Sequence, residues 1–254
     1  MTTPPNKGTL YLVPTPLDFG CDTSVPIADV LPQATLRVAS GLTHWITENA
    51  KSTRAFLKRV SEFAPLGLAL QDMQITELPR EVHKKGDHLG EFDAKPLLAL
   101  VLKGQDIGLV SEAGMPAVAD PGSSVVMAAH QLGIRVAPLV GPVSLLLALA
   151  ASGLNGQNFA FVGYLPQDSA ARLQRIRELE MLVMKTGQTQ LFIETPYRNK
   201  ALWEALLKGL QPNTRVARAS GLTLQNMDVQ CYAVRDWRQS NGIGDTPTVF
   251  AIGR

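Results

Sequence analysis

The chain has 254 residues, 45% of them hydrophobic and 18% charged, with a net charge of +2. That balance suits one large or two modest domains with a real core. It excludes a surface basic all over, so nucleic-acid binding would need a local basic patch. Two cysteines, Cys21 and Cys231, lie far apart without CxxC spacing, which argues against a disulfide framework or zinc site and fits a reducing compartment.

Short β-type runs alternate with helical patterns along the chain. Strands are predicted at 9–13, 44–47, 106–111, 135–140, 159–164, 189–194 and 214–219. Their continuous apolar character suits a sheet covered on both faces. Between them, 51–63 reads as a helix with Phe56, Leu57, Val60 and Phe63 on one stripe and Lys51, Arg54 and Lys58 on another. Residues 94–103 read as a helix ending at Gly104, and 123–132 as one that Asp120 caps and Gly133 stops. Residues 142–152 are apolar all round, which predicts a buried helix. Residues 169–186 start at Asp168 or Ser169 and turn Leu173, Ile176, Leu179 and Val183 inward; 199–209 end at Gly209. Late in the chain, 227–234 and 246–253 are strands with no helix between them, so antiparallel pairing enters. The expectation is an α/β protein of two domains, 1–141 with a parallel sheet and 142–254 with a mixed one. The opening MTTPPNKGTLYLV has too short an apolar run for a signal peptide, and VSLLLALAAS (143–152) is about half a membrane span. A cytoplasmic chain without a membrane partner is expected.

No GxGxxG follows the first strand, and GxxxxGK[ST], HExxH and GxSxG are all missing from the sequence. These absences argue against a Rossmann dehydrogenase, a P-loop NTPase, a zincin and an α/β-hydrolase. What remains is a set of Pro- and Gly-bearing loops at strand ends, where open α/β sheets bind ligands: VPTPLDFG (13–20), SEAGMPAVADPG (111–122), VGPVSL (140–145) and ETPYRNK (194–200). Each is also a turn that the fold geometry would demand. His83 and His88 flank a Lys–Gly loop, too weak a pattern to predict a metal, and no metal site is expected. Trp45 and Trp203 read as core.

The blocks GTLYLVPTP, LVSEAGMPAVADPG, APLVGPVSLLLALAASGL, FVGYLP and LFIETPYR occur in the order and spacing of the tetrapyrrole methylase superfamily. The chain resembles most its ribosomal-RNA small-subunit methyltransferase I branch. The resemblance covers nearly the whole sequence. It implies a homodimeric methyltransferase with two α/β domains around an S-adenosylmethionine cleft, acting on a ribose 2′-hydroxyl of ribosomal RNA. It also implies cofactor contacts from Pro16, from Ser111, Glu112, Ala113, Gly114 and Met115, from Val143 and Ser144, from Glu194, and from Ser220, Gly221, Pro247 and Thr248.

Some polar positions depart from the branch pattern. ENAK (48–51) stands where EDTR is usual, TELP (76–79) where HEHN is, EAGMP (112–116) where DAGTP is, and RASGL (218–222) where RELTK is. The scaffold blocks are kept while the polar positions change, so the methyl acceptor is the open question. A tetrapyrrole-like small molecule, or a non-catalytic role that keeps the cofactor, are the alternatives to ribosomal RNA. Glu48 and Glu112 are the candidate general bases; Glu48 could equally serve the following helix as an N-terminal acid, and Glu112 could brace its loop. Lys51, Arg54, Arg172 and Arg198 are the candidate RNA contacts, with solvated helix faces or an ion pair as the plainer readings.

Overall fold

Strands that are apolar on both sides need cover on both faces, and the helices between them supply it. The computed structural model describes residues 7–85, 87–88, 92–237 and 242–254, with backbone alone at 83–85. The chain divides into two compact units: Met1–Phe19 with Val25–Pro142, and Gly20–Ser24 with Val143–Arg254.

The first unit carries an all-parallel sheet of β1 (Thr9–Val13), β2 (His44–Thr47), β3 (Gln74–Glu77), β4 (Ile107–Val110) and β5 (Arg135–Pro138), in the order β3-β2-β4-β1-β5. Helices α1 (Gln33–Gly41) and α2 (Ala50–Phe63) cover one face, where Leu36, Phe56, Leu57 and Val60 pack with Val13, Trp45 and Val110. Helices α3 (Arg80–Lys85) and α4 (Ser123–Gln131) cover the other, where Val82, Val125 and Ala128 pack with Leu10, Ile46, Ile107 and Leu109. Trp45, Leu10, Leu36 and Leu57 are fully buried; each such side chain contributes about 1.5–3 kcal/mol of transfer free energy. Connections leave β1 toward β2 and leave β4 toward β5, so the loops after these two central strands lie where strand order reverses, the position at which such sheets bind ligands.

The second unit carries a mixed sheet of β6 (Phe159–Tyr164), β7 (Thr189–Ile193), β8 (Arg215–Ser220), β9 (Asp228–Ala233) and β10 (Thr248–Gly253), in the order β6-β7-β10-β8-β9. β6 and β7 run parallel; the other pairs are antiparallel. Helices α6 (Ser169–Thr186) and α7 (Asn199–Gly209) pack Ile176, Leu179, Val183, Leu202, Trp203 and Leu206 on Phe192, Val216, Phe250 and Ile252. Helix α5 (Ser144–Ser152) lies across β8, β9 and β10. The α/β class with one parallel and one mixed sheet is therefore as the sequence predicts.

Four local expectations change. Residues 94–103 form two 3-10 turns, Lys95–Leu98 and Val101–Lys103, in place of an α-helix. With Pro96 near its start, this short span closes i→i+3 bonds, such as Ala99 N to Pro96 O; Gly104 ends it in the left-handed region as expected. Helix α5 is buried on one side only: Leu145, Ala148 and Leu149 pack inward while Leu146 and Leu147 are exposed. A helix resting on one sheet covers one stripe, whatever its outer residues are. Strand β3 escapes the pattern because it is a polar edge with Ile75 as its one apolar residue. Asp120 does not cap α4, whose N-cap residue is Gly122. Among the described residues no helix is long and apolar enough to cross a membrane. The segment SNGIGD (240–245), whose Gly, Asn and Asp residues read as a turn, lies partly outside the described residues, and so does the His83 side chain.

Candidate active site

Strands β1 and β4 are hydrogen-bonded neighbours, and the loops leaving them meet. Thr15 N donates to Gly114 O at 2.9 Å and Gly114 N to Thr15 O at 3.1 Å, while Thr15 Oγ1 donates to Ser111 O at 3.3 Å. Pro16 follows, buried. The bridge requires φ +78° at Gly114, and a Cβ there would meet Leu17 Cδ2 at 3.1 Å. Ser111 is buried and its Oγ has no hydrogen-bond partner. Ala117 and Ala119 hold φ values of 64° and 66°, a conformation that costs a residue with a Cβ on the order of 1–3 kcal/mol unless its surroundings enforce it. Two bonds enforce it here, Ala117 N to Pro121 O and Val118 N to Met115 O.

The loop's downstream end is clamped from outside. Asp87, buried, accepts from Gly122 N, Ser124 N, Ser123 Oγ and Ser124 Oγ at 2.6–2.9 Å. It thereby does at the α4 N-terminus what Asp120 was expected to do. Burial pushes its pKa up, but the bonds from Ser123, Ser124 and Gly122 outweigh this and hold it below the usual carboxylate value.

Three acids converge on this loop. Glu48 leaves β2, the other neighbour of β4, and accepts from Glu112 N at 3.4 Å. It does not cap α2: Asn49 does so, accepting from Lys51 N and Ser52 N, and Glu77 Oε1 accepts from Ala50 N at 2.6 Å. The departures ENAK and TELP thus supply this helix start. Asp120 completes the group. Burial, then the charges of Glu48 and of Glu112, push its pKa up to about 7. A carboxylate poised near neutrality can exchange a proton at physiological pH.

In the second unit the loop after β7 holds a different arrangement. The Glu194 side chain is fully buried, and its Oε1 accepts from Thr195 N at 2.7 Å and from Arg198 Nε and Nη2 at 2.9 and 2.7 Å. Glu194 Oε2 is buried without a hydrogen-bond partner. Hydrogen bonding to Glu194 is the largest influence on Arg198 and strengthens its hold on the proton. The four other predicted positions of this unit's strand ends come together. Ser220 pairs with Thr248 across β8 and β10, their hydroxyls lie 2.8 Å apart, and Gly221 N donates to Pro247 O at 3.1 Å. Pro247 also lines an open cavity of about 290 Å³ with Gly20–Thr23, Leu224, Asn226, Asp245 and Thr246. Val143 and Ser144 begin α5.

The basic candidates separate. Lys51, Arg54 and Lys58 are exposed on α2, whereas Arg59 is tied to Asp18 at 3.0 Å. Arg172 is buried, which corrects its assignment as an RNA contact. It stands one turn before Ile176 on the inward stripe of α6, so helical spacing carries it under the surface.

Residues 10–230 match the family of Tetrapyrrole (Corrin/Porphyrin) Methylases. The chain belongs to the tetrapyrrole methylase family. Curated relatives include proteins named ribosomal RNA small subunit methyltransferase I from Vibrio cholerae (31% identical over 87% of this chain and 67% of that one), Escherichia coli O157:H7 (31% over 86% and 66%) and Halalkalibacterium halodurans (32% over 80% and 60%). The chain thus spans about two thirds of their length or less. Uroporphyrin-III-C-methyltransferase from Thermus thermophilus (19% identical, TM-score 0.53, covering 97% of this chain and 94% of that one) and the methyltransferase CobJ (16%, 0.55, 98% and 94%) share the fold. The family blocks coincide with the strand-end loops described above. Asp87 and Asp120 are the residues that sequence reasoning missed or misassigned: Asp87 is 35 positions from the Gly122 amide it binds at the start of α4, and the DPG pattern at 120–122 imitates a cap locally.

Proposed function

We propose that this tetrapyrrole methylase transfers the methyl group of S-adenosylmethionine to ribosomal RNA, at a ribose 2′-hydroxyl. The relatives named as ribosomal RNA methyltransferases at 30% identity or more carry this reading. The residues fit the cofactor. Its ammonium and ribose hydroxyls are donors, and each unit buries an acceptor-capable oxygen with no partner, Ser111 Oγ in the first and Glu194 Oε2 in the second. Pro16, Ser111–Met115, Val143, Ser144, Glu194, Ser220, Gly221, Pro247 and Thr248 are the proposed contacts. When bound, the cofactor supplies an electrophilic methyl group, and in-line displacement asks the protein mainly for positioning.

The protein's own chemistry is then proton handling. The acceptor hydroxyl must lose its proton as the new bond forms, and the Glu48–Glu112–Asp120 group is the proposed sink. Burial, and after it the charges of Glu48 and Glu112, raise the affinity of Asp120 for the proton until it is half-held at about pH 7. Lys51 and Arg54 are proposed phosphate contacts, and Arg198 a substrate contact through its face. A homodimer and a cytoplasmic location complete the proposal. A tetrapyrrole-like acceptor is the second reading, favoured by the likeness to uroporphyrin-III-C-methyltransferase in fold.

Isothermal titration with S-adenosylmethionine tests the first half. Micromolar binding that weakens at least tenfold in Glu194→Ala is expected; no heat at hundreds of micromolar cofactor would overturn it. For the second half, labelled methyl groups should reach ribosomal RNA from cells lacking the gene and not RNA from cells that have it.

A further inference from the structure

Strands β6 and β7 end side by side, with Tyr164 opposite Ile193. The register shifts between Phe161 and Tyr164, and Gly163 within that irregularity has φ +73°. A bulge of this kind re-aims the side chain that follows, and a residue with a Cβ is strained at such a φ. Tyr164 emerges 56% exposed. Just past β7, the 3-10 turn Pro196–Arg198 presents Tyr197, 73% exposed. The Arg198 guanidinium lies 5.3 Å from the centroid of the Tyr197 ring, and both tyrosines are within electrostatic range of it.

Glu194 decides what this cluster can do. It grips Arg198 by two nitrogens on one oxygen and balances its charge. The guanidinium is therefore a fixed plane more than a bare cation for phosphate. Two exposed phenol rings and an immobilised guanidinium plane are the surfaces on which unpaired RNA bases stack.

We propose that Tyr164, Tyr197 and Arg198 form a stacking subsite for an unpaired RNA base that flanks the methylated nucleotide. This rests on the RNA reading above and adds to it two tyrosines that the cofactor and phosphate contacts proposed there do not include. The site works by stacking, so it adds affinity with little counterion release. The lysine and arginine face of α2 works the opposite way, through phosphate charge and a steep salt dependence.

The test uses the full chain and a fluorescently labelled single-stranded oligoribonucleotide, with anisotropy recorded across a range of KCl concentrations. The double variant Tyr164→Ala/Tyr197→Ala should weaken binding about tenfold or more with an unchanged log–log salt slope and an unchanged melting temperature. Tyr164→Phe/Tyr197→Phe should restore binding. Replacing Lys51, Arg54 and Lys58 by alanine should instead flatten the slope, by about 0.7 for each phosphate left without its cation. Wild-type affinity in the double alanine variant overturns the subsite and leaves the RNA reading standing; it is also the outcome expected if the rings serve a protein partner. A phenylalanine pair as weak as the alanine pair also overturns it. A wild-type chain that binds no oligoribonucleotide overturns the subsite and the RNA reading together.

Discussion

Glu194 in the second unit and the Glu48–Glu112–Asp120 group in the first both follow the carboxyl ends of sheet strands, yet the first is a buried carboxylate and the second a half-buried cluster, and their charges are handled differently. Glu194 is given a cation and backbone and hydroxyl donors, which fix both it and Arg198 in place. Asp120 is half-buried and faces two like charges, and partial burial followed by those charges lets it keep a proton to about pH 7. Pairing produces a rigid element suited to orientation, and crowding produces a group ready to exchange protons. The two loops have the same place on their sheets, and the side chains arriving from elsewhere decide which outcome each one has.

The largest expected effect comes from removing the crowded charge. Folding raises the Asp120 pKa above its unfolded value, so the folded state holds the extra proton and this acid's contribution to stability falls as pH rises from about 4 through about 7. Asp120→Asn should therefore gain on the order of 2–4 kcal/mol over wild type at pH 8 and nothing at pH 4. Urea unfolding at both pH values checks this, and an equal difference at the two would break the comparison. Arg198→Ala should do the reverse and destabilise by about 3 kcal/mol at neutral pH, because it strands Glu194 in a buried site. Glu194→Gln, which keeps the acceptor and drops the charge, should cost less by the same assay. Asp87→Ala should cost about 2 kcal/mol through the lost α4 cap, and hydrogen exchange should rise at Gly122 and Ser124 before it rises in β4. The smallest effect should come from Glu48→Gln. It removes the larger of the two repelling charges and should lower the Asp120 midpoint by about one unit or less, read from carboxyl carbon chemical shifts.

The sheets were legible because their inner strands are buried on both faces and therefore read as continuous apolar runs. β3 was not, since an edge strand such as QITE carries no such run. The five family blocks located the strand-end loops, and Glu112 and Glu194 were named from them. The electrostatics were less legible. Whether an acid is capped, paired or crowded depends on residues distant in sequence: Asp87 reaches Ser124, and Glu48 reaches Glu112 across 64 positions. Arg172 is a further case: it reads as part of a solvated helix face until the inward stripe of α6 is traced through Ile176. The tyrosines at 164 and 197 sit inside family blocks, yet their exposure is a property of the bulge and the turn that hold them and has no local sequence signal.

Proton transfer through the crowded acids is tested most directly by the rate of labelled methyl transfer to small-subunit ribosomal RNA as a function of pH, in wild type and in Asp120→Asn. Wild-type transfer should rise to a plateau above about pH 7, and the asparagine variant should bind cofactor normally but lose about a hundredfold or more in rate across the whole range. Transfer that is indifferent to pH between about 5 and 9, or an Asp120→Asn rate equal to wild type, would contradict a proton-accepting role for this group.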